Sequence, residues 1–275
     1  MKRTTLAKLS EIDTLLTDRD KVLLETFRKL RYIKTDQVQR LFYPKVIDRP
    51  YAAQRATSRH LVRLQNLGLV THLQQRIGGV RAGAQGKIWH LTEDGARLLD
   101  LGTDNQDKRK RTLEPSQMFL RHTIAITECF VQITEICRKE PSLRLDRIEL
   151  EPECWRSYEV NGKAISLRPD LYAKTISGEY FDHMFIEMDL ATEGMLAIVE
   201  KCRRYHEYYA SGKEQHAVGV FPLVLWIVPT TERKQRMIDG IEESFGNRRA
   251  HIFLVITPEE LRRVLRDGAQ ENELC

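Results

Sequence analysis

Three carboxylates stand where predicted strands begin or end in the second half of the chain. Asp170 follows Arg168-Pro169 at the start of an apolar segment, and Glu187 and Asp189 follow the apolar run Met184–Ile186. Residues two apart on a strand point to the same face, so Glu187 and Asp189 share a side, with Asp170 on the neighbouring strand. Grouped carboxylate oxygens are ligands for Mg²⁺ or Mn²⁺, and such an ion activates water to attack a phosphodiester. The spacing therefore predicts a metal site formed by Asp170, Glu187 and Asp189.

A lysine on the next predicted helix belongs to the same candidate site. Lys201 lies one turn before Tyr205 on a helix that opens near Thr192. An ammonium group there would position the attacking water or neutralise charge on the reacting phosphate. We therefore group Lys201 with the three carboxylates as candidate catalytic residues. The alternatives are structural: an ion pair with Arg168 for the first carboxylate and solvated strand ends for the other two. Arg233, at a predicted helix start, fits a phosphate contact and an ion pair equally well.

The charge of the chain is divided unevenly. The 275 residues carry a net charge of +5, but residues 1–112 carry +11 and residues 113–275 carry −6. A basic first part is typical of proteins that contact nucleic acid, and a solvated charged surface is the plainer alternative. A hydrophobic content of 41% fits a globular protein. The length predicts two domains, each able to bury its own core.

Several classes of protein are excluded by the sequence alone. No apolar run approaches the ~20 residues of a membrane-spanning helix, and the N-terminus is too polar for a secretory signal peptide. The five cysteines are scattered and form no CxxC pair, so neither a disulfide framework nor a zinc site is predicted. We expect a cytoplasmic protein.

The basic part has the order of elements typical of a winged helix-turn-helix domain. Its pattern of apolar and turn residues predicts helices over Asp20–Leu30, from Thr35 to near Pro44 and over Tyr51–Asn66, strands over Leu69–Leu73 and Ile88–Leu91, and a short helix through Leu99. In such a domain the third helix enters the major groove. The tip of the hairpin, called the wing, reaches a phosphate or the minor groove.

The third predicted helix and the hairpin tip carry side chains suited to DNA. Arginine and lysine neutralise phosphates, and arginine and glutamine also read base edges. The candidate DNA-contacting residues are Gln54, Arg55, Arg59 and Arg63 on the helix and Arg76, Arg81 and Lys87 near the tip. The expected ligand is double-stranded DNA, and a winged helix used for protein contact is the alternative.

A polar segment separates this first domain, residues 1–101, from a second domain of residues 118–275. Residues 102–117 lack periodicity and include the basic run Lys108–Arg111, so they are predicted to be a linker. The second domain is predicted as helix, three strands, helix, strand, helix, strand, helix. This order predicts an α/β sandwich with a mixed central sheet, in which the apolar segment Leu223–Val228 is a buried strand. The fold class of the whole chain is α/β with two domains.

The order of the acids resembles the PD-(D/E)XK nuclease superfamily. Pro169-Asp170 matches the first acid, and Glu187-Met188-Asp189 stands where Glu-x-Lys is expected. Asp189 departs from the pattern, because the third residue of the motif is lysine. In some members the lysine comes from the following helix, and Lys201 would supply it here. The resemblance implies a Mg²⁺- or Mn²⁺-dependent DNA endonuclease or nickase, or weak or absent cleavage if Lys201 does not replace the lysine.

Most of the chain also resembles the replication-relaxation family of plasmids and mobile elements. The likeness is carried by Leu30–Ile33, Arg59–Leu69, Leu91–Ala96, Leu167–Asp170, Glu187–Glu193, Lys201 with Tyr205, and Phe221-Pro222. It implies DNA processing in plasmid maintenance or transfer. Three functions stay open: a metal-dependent endonuclease or nickase, a non-catalytic DNA-binding accessory or regulator, and an assembly module that recruits a relaxase or replication protein. A homodimer is compatible with the sequence.

Overall fold

A computed structural model describes residues 4–44, 50–74, 86–101, 115–160, 162–246, 251–270 and 273–275. The chain divides into two compact units, Met1–Val131 and Gln132–Cys275. The division falls inside the helix Gln117–Lys139, whereas most of the segment predicted as a linker lies outside the described residues. No helix in the described ranges is long and apolar enough to cross a membrane.

The first unit combines short helices with a small antiparallel sheet. Its elements up to residue 101 are α1 (Leu6–Thr14), α2 (Asp18–Leu30), β1 (Ile33–Lys34), α3 (Thr35–Phe42), α4 (Pro50–Asn66), β2 (Val70–His72), β3 (Ile88–Leu91) and α5 (Glu93–Leu99). The strands pair in the order β1-β3-β2. The predicted helices and hairpin strands are all present, and α1 and β1 are additional.

Thr17 and Asp20 form a reciprocal pair of hydrogen bonds that caps the N-terminus of helix α2. The Thr17 hydroxyl accepts a hydrogen bond from the backbone N–H of Asp20 at 3.3 Å. The Asp20 carboxylate accepts one from the backbone N–H of Thr17 at 2.7 Å. This reciprocal pair satisfies two N–H groups that a helix start leaves without a partner. The Asp20 side chain is buried.

The second unit is built on a mixed five-stranded sheet. Helix α6 (Gln117–Lys139) leads into it, followed by β4 (Leu143–Leu150), β5 (Arg156–Val160), β6 (Lys163–Leu167), β7 (Leu171–Ser177), β8 (Tyr180–Met188), α7 (Met195–Ala210), α8 (Lys213–Val218), β9 (Leu223–Ile227), α9 (Thr231–Phe245), β10 (Phe253–Ile256), a 3₁₀ turn (Pro258–Glu260) and α10 (Leu261–Asp267). The strand order is β10-β9-β8-β7-β4, while β5 and β6 form a separate hairpin. Strands β10, β9 and β8 are parallel and β8, β7 and β4 antiparallel, so the predicted mixed central sheet is confirmed.

The hydrophobic core of the second unit joins one face of this sheet to α7 and α9. The sheet contributes Tyr172, Phe185 and Trp226, and the two helices contribute Tyr205 and Met237, among others. The residues that alternate with these on the strands are buried as well, including Leu171, Ile186, Leu225 and Leu254. Burial on both faces explains why the central strands are apolar at nearly every position. The buried carboxylates Asp170 and Glu187 stand out against this apolar background.

Gly95 in α5 lies against the backbone that precedes β2, and this contact makes a testable prediction. A Cβ atom at Gly95 would stand 2.1 Å from the carbonyl oxygen of Leu69. That oxygen is fixed, because it accepts a hydrogen bond from the Thr92 N–H at 3.0 Å. We expect Gly95→Ala to lower the free energy of unfolding by about 1–3 kcal/mol through overpacking, measured by urea denaturation.

Gly240 on α9 is the matched control for this substitution. A Cβ there would stand 2.7 Å from the Sδ atom of Met195, a flexible side chain that is able to move aside. Alanine also favours a helix interior over glycine by up to about 1 kcal/mol, so Gly240→Ala should change stability little. An equal loss at the two positions would show that the Leu69 carbonyl is not the cause.

Candidate acidic site and nucleic-acid interface

The register of β7 and β8 brings two of the predicted carboxylates together. Leu171 pairs with Ile186 across the two antiparallel strands, so Asp170 and Glu187 are the next residues at the same end of the pair. An Asp170 oxygen accepts a hydrogen bond from the backbone N–H of Met188 at 2.8 Å. Both carboxylates are buried.

Helix α7 supplies two hydrogen-bond donors to Glu187. Lys201 Nζ donates to Oε2 at 2.5 Å, and the Tyr205 hydroxyl donates to Oε1. Lys201 and Tyr205 are four residues apart and therefore project from one face of the helix. Lys201 Nζ also lies 5.6 Å from the centre of the Trp226 ring. The structure thus groups Asp170, Glu187 and Lys201, and both oxygens of Glu187 are engaged within the protein.

Burial and charge shift the protonation of this group. Burial raises the pKa of the Glu187 carboxyl above its usual value, and the nearby Asp170 carboxylate adds to the rise while the Lys201 ammonium opposes it. Burial opposes the charged form of Lys201, but the Glu187 and Asp170 carboxylates outweigh it and raise the pKa of the ammonium. Lys201 is therefore positively charged throughout the physiological range.

Asp189 has a separate partner. Its carboxylate accepts two hydrogen bonds from the Arg233 guanidinium, at 2.6 Å from Nε and 3.1 Å from Nη2. The same guanidinium donates to the backbone oxygen of Glu193 at 2.8 Å, and the Ala191 N–H donates to Asp189 Oδ1 at 3.1 Å. Ala191 adopts a left-handed φ of 57°, which is uncommon for a residue with a side chain. The pair ties the segment after β8 to the first turn of α9, so Asp189 binds Arg233 rather than joining Glu187.

These contacts do not provide a shared set of ligands for a metal ion. A hard cation needs several carboxylate oxygens that converge on it, but those of Glu187 and Asp189 are occupied by different cations of the protein. Within the described ranges, no three His, Cys, Asp or Glu side chains are grouped closely enough to hold a metal. The arrangement therefore does not fit an ion held jointly by Asp170, Glu187 and Asp189.

Helix α4 of the first unit has one buried and one exposed side. The buried side consists of Ala53, Thr57, Leu61 and Leu64, and the exposed side includes Gln54, Arg55, Ser58, Arg59, Val62 and Arg63. Arg55 and Arg59 lie one turn apart on the exposed side. Arg55 Nε donates to the backbone oxygen of Tyr51 at 3.2 Å, and neither arginine pairs with a carboxylate in the part of the chain that the structure describes. These two cations are exposed, and no described residue neutralises them.

Arg63, on the flank of the same helix, does have a carboxylate partner. Its Nη2 donates to Asp20 Oδ2, while His60 Nε2 lies 2.7 Å from Asp20 Oδ1 and His60 Nδ1 lies 2.8 Å from the Tyr43 hydroxyl. Burial opposes ionisation of Asp20, but hydrogen bonds from Thr17, Arg63 and His60 outweigh it and lower the pKa of the carboxyl to about 2. Asp20 is therefore an anion at every physiological pH.

Of the predicted wing, the structure describes only the residues next to the two strands. Arg76 and Arg81 lie outside the described residues. Lys87 is exposed just before β3, and its Nζ lies 5.6 Å from the centre of the Trp89 ring. The Trp89 indole N–H donates to the Thr35 hydroxyl at 3.0 Å. Lys87 is therefore next to the start of α3.

The sequence alone does not indicate Asp20 as a site residue, and it leaves the role of Arg233 open. The spacing of Thr17 and Asp20 is a recognisable capping signal, but no local pattern connects Asp20 with His60 and Arg63. Arg233 fitted a phosphate contact and an ion pair equally well, and the structure shows the ion pair with Asp189.

Comparison with known proteins identifies one family. A family model described as replication-relaxation matches residues 24–224, which is more than two thirds of the chain and includes α4, Asp170, Glu187 and Lys201. No curated protein and no solved structure matches the chain. The chain belongs to the replication-relaxation family.

Proposed function

We propose that the chain is a DNA-binding accessory protein that acts without cleaving DNA. Membership of the replication-relaxation family points to a role in the replication or mobilisation of a plasmid or other mobile element. The observation that carries DNA binding is the exposed side of α4, where Arg55 and Arg59 have no carboxylate partner in the described part of the chain. Arginines in that state are suited to neutralise phosphates or read base edges.

The order of elements in the first unit supports this role. Helix α2, strand β1, helices α3 and α4 and the strands β2 and β3 follow the order of a winged helix, and the sheet order is β1-β3-β2. In that fold α4 takes the position of the recognition helix, and the segment between β2 and β3 is the wing. The net charge of +11 on residues 1–112 adds a long-range attraction to DNA.

Binding to a short duplex of random sequence, followed by fluorescence anisotropy, tests the proposal. The logarithm of the affinity should fall linearly with the logarithm of the salt concentration, because each neutralised phosphate releases counterions. Affinity that is independent of salt would contradict it. The proposal implies double-stranded DNA and a relaxase or replication protein of the same element as partners, and failure to co-purify with either of those proteins would argue against the accessory role.

The acidic site favours a non-catalytic role, although it also suggests a second candidate function. Asp170, Glu187 and Lys201 lie together, as the resemblance to PD-(D/E)XK nucleases implies for residues that cleave DNA. However, Lys201 and Tyr205 occupy both oxygens of Glu187, and Arg233 occupies Asp189. A metal-dependent endonuclease or nickase is the second candidate, supported by the grouping of Asp170, Glu187 and Lys201.

A nicking assay separates the two candidates. Supercoiled plasmid incubated with Mg²⁺ or Mn²⁺ should show the same background nicking with the wild-type protein and with Asp170→Asn, because the carboxylates do not share a metal. Asp239→Asn, at an exposed position on α9, is the matched control. Nicking by the wild type and the control, but not by Asp170→Asn, would overturn the non-catalytic role and support the endonuclease.

A further inference from the structure

We propose that the Asp20 carboxylate binds the Arg63 guanidinium and thereby keeps it from non-specific contacts with DNA. In the absence of DNA this carboxylate neutralises Arg63, so that Arg55 and Arg59 contribute to binding of DNA phosphates in general while Arg63 does not. The inference rests on the proposed DNA binding by α4. What it adds is that the Asp20 carboxylate competes with DNA phosphates for Arg63 of that helix.

The geometry around Asp20 shows why it is a strong competitor. The carboxylate is only 1% exposed. It accepts hydrogen bonds from the Thr17 backbone N–H and the Thr17 hydroxyl, each at 2.7 Å, and also interacts with His60 and Arg63. Because Thr17 and His60 hold Asp20 in place, the carboxylate does not move with Arg63 when that side chain moves. A phosphate must therefore take Arg63 away from a fixed anion.

Arg63 is nevertheless accessible to DNA. Its side chain is 43% exposed, whereas that of Asp20 is 1% exposed. The Arg63 guanidinium therefore lies at the surface, and the buried Asp20 carboxylate beneath it neutralises its charge. A hydrogen bond between charged groups is stronger than one between neutral groups, so a distant or badly placed phosphate gains little by competing. A phosphate or base edge that meets Arg63 directly is the ligand that would release it.

Arg59 provides an internal comparison on the same helix. It lies one turn before Arg63, is exposed, and has no carboxylate partner among the described residues. The two residues share side-chain type and helix, and they differ in their pairing with Asp20. If pairing decides their contribution to non-specific binding, Arg59 and Arg63 should respond differently to the same substitution.

The test measures the affinity for a duplex of random sequence and its salt dependence. Arg59→Gln should weaken binding about eightfold at about 0.1 M salt and reduce the log–log slope by about 0.9, the value for one phosphate contact. Arg63→Gln should leave the slope unchanged and weaken binding less than Arg59→Gln does, because it removes no phosphate contact but leaves the Asp20 carboxylate without Arg63. Asp20→Asn should strengthen binding and steepen the slope by about 0.9, and the double substitution Asp20→Asn with Arg63→Gln should return both to the wild-type values.

Each failure has a distinct meaning. Equal losses for Arg63→Gln and Arg59→Gln would overturn the inference while leaving DNA binding by α4 intact. Absence of salt-dependent binding by the wild-type protein would overturn the proposed function and this inference with it. If Asp20→Asn does not fold, the comparison of Arg59→Gln with Arg63→Gln still decides, because Thr17 and His60 continue to bind the buried Asp20 carboxylate when Arg63 is replaced.

Discussion

Substitution of both Arg55 and Arg59 by glutamine should weaken binding to duplex DNA of any sequence by about 60-fold at about 0.1 M salt. The two guanidinium groups lie one turn apart on the exposed side of α4 and have no carboxylate partner in the described ranges. Each one that meets a phosphate contributes about 0.9 to the slope of log affinity against log salt. Losing both should reduce this slope by about 1.8, as measured by anisotropy titrations at several salt concentrations.

The control for this double variant must change the net charge equally. Arg203 and Arg204 are exposed on α7 of the second unit, and their joint replacement by glutamine also removes two positive charges. That control should alter affinity by less than about twofold, because long-range attraction alone is screened at this salt concentration. Similar losses for both double variants would mean that overall charge, rather than α4, carries the binding.

The elements of the first unit were predictable because their signals are local. The apolar spacing of α2 and the buried side of α4 follow the helical period, and Gly68 ends the second of these helices with a φ of 76°. Helix α1 was missed, because only Leu9 and Ile12 of its nine residues are buried. Such a short helix is defined by tertiary contacts more than by a pattern of its own.

In the second unit too, the elements with a local sequence pattern were predictable, and those without one were not. Strands β7 to β10 were predictable from their apolar runs, since both of their faces are buried. The hairpin of β5 and β6 was not, because exposed residues such as Glu159 and Lys163 alternate with few buried ones. Helix α8 has six residues, with glycine at both ends, too few to show a helical period.

The part of the candidate site that lies on neighbouring strands was predictable from the sequence. Asp170 directly precedes β7 and Glu187 lies in β8, and a tight turn joins these strands, so the proximity of the two carboxylates follows from the hairpin register. The partner of Asp189 lies 44 residues later in α9, and no local pattern connects them. The spacing of Glu187 and Asp189 on one strand predicted a role for Asp189 at the metal, but it did not reveal the competing guanidinium of Arg233.

The substitution Arg233→Met should cost about 3–5 kcal/mol of the free energy of unfolding, because it leaves a buried carboxylate without its cation. The side chains of Asp189 and Arg233 are 2% and 11% exposed, respectively. The variant also loses the hydrogen bond from Arg233 to the backbone oxygen of Glu193, which holds the segment between β8 and α7. Urea denaturation of the full chain measures the loss.

Two further variants show whether the loss arises from the unpaired Asp189. Arg203→Met breaks an exposed pair with Glu200, whose side chains are 60% and 53% exposed, and should cost less than about 1 kcal/mol. Adding Asp189→Leu to Arg233→Met removes the unpaired carboxylate and should restore most of the lost stability. Apolar pairs often replace buried ion pairs without loss of stability. If the double variant is as unstable as Arg233→Met, packing of the arginine stem is the cause. If Mn²⁺ instead restores the stability of Arg233→Met while leaving the wild type unchanged, Asp189 is able to bind a metal and Arg233 is what prevents it.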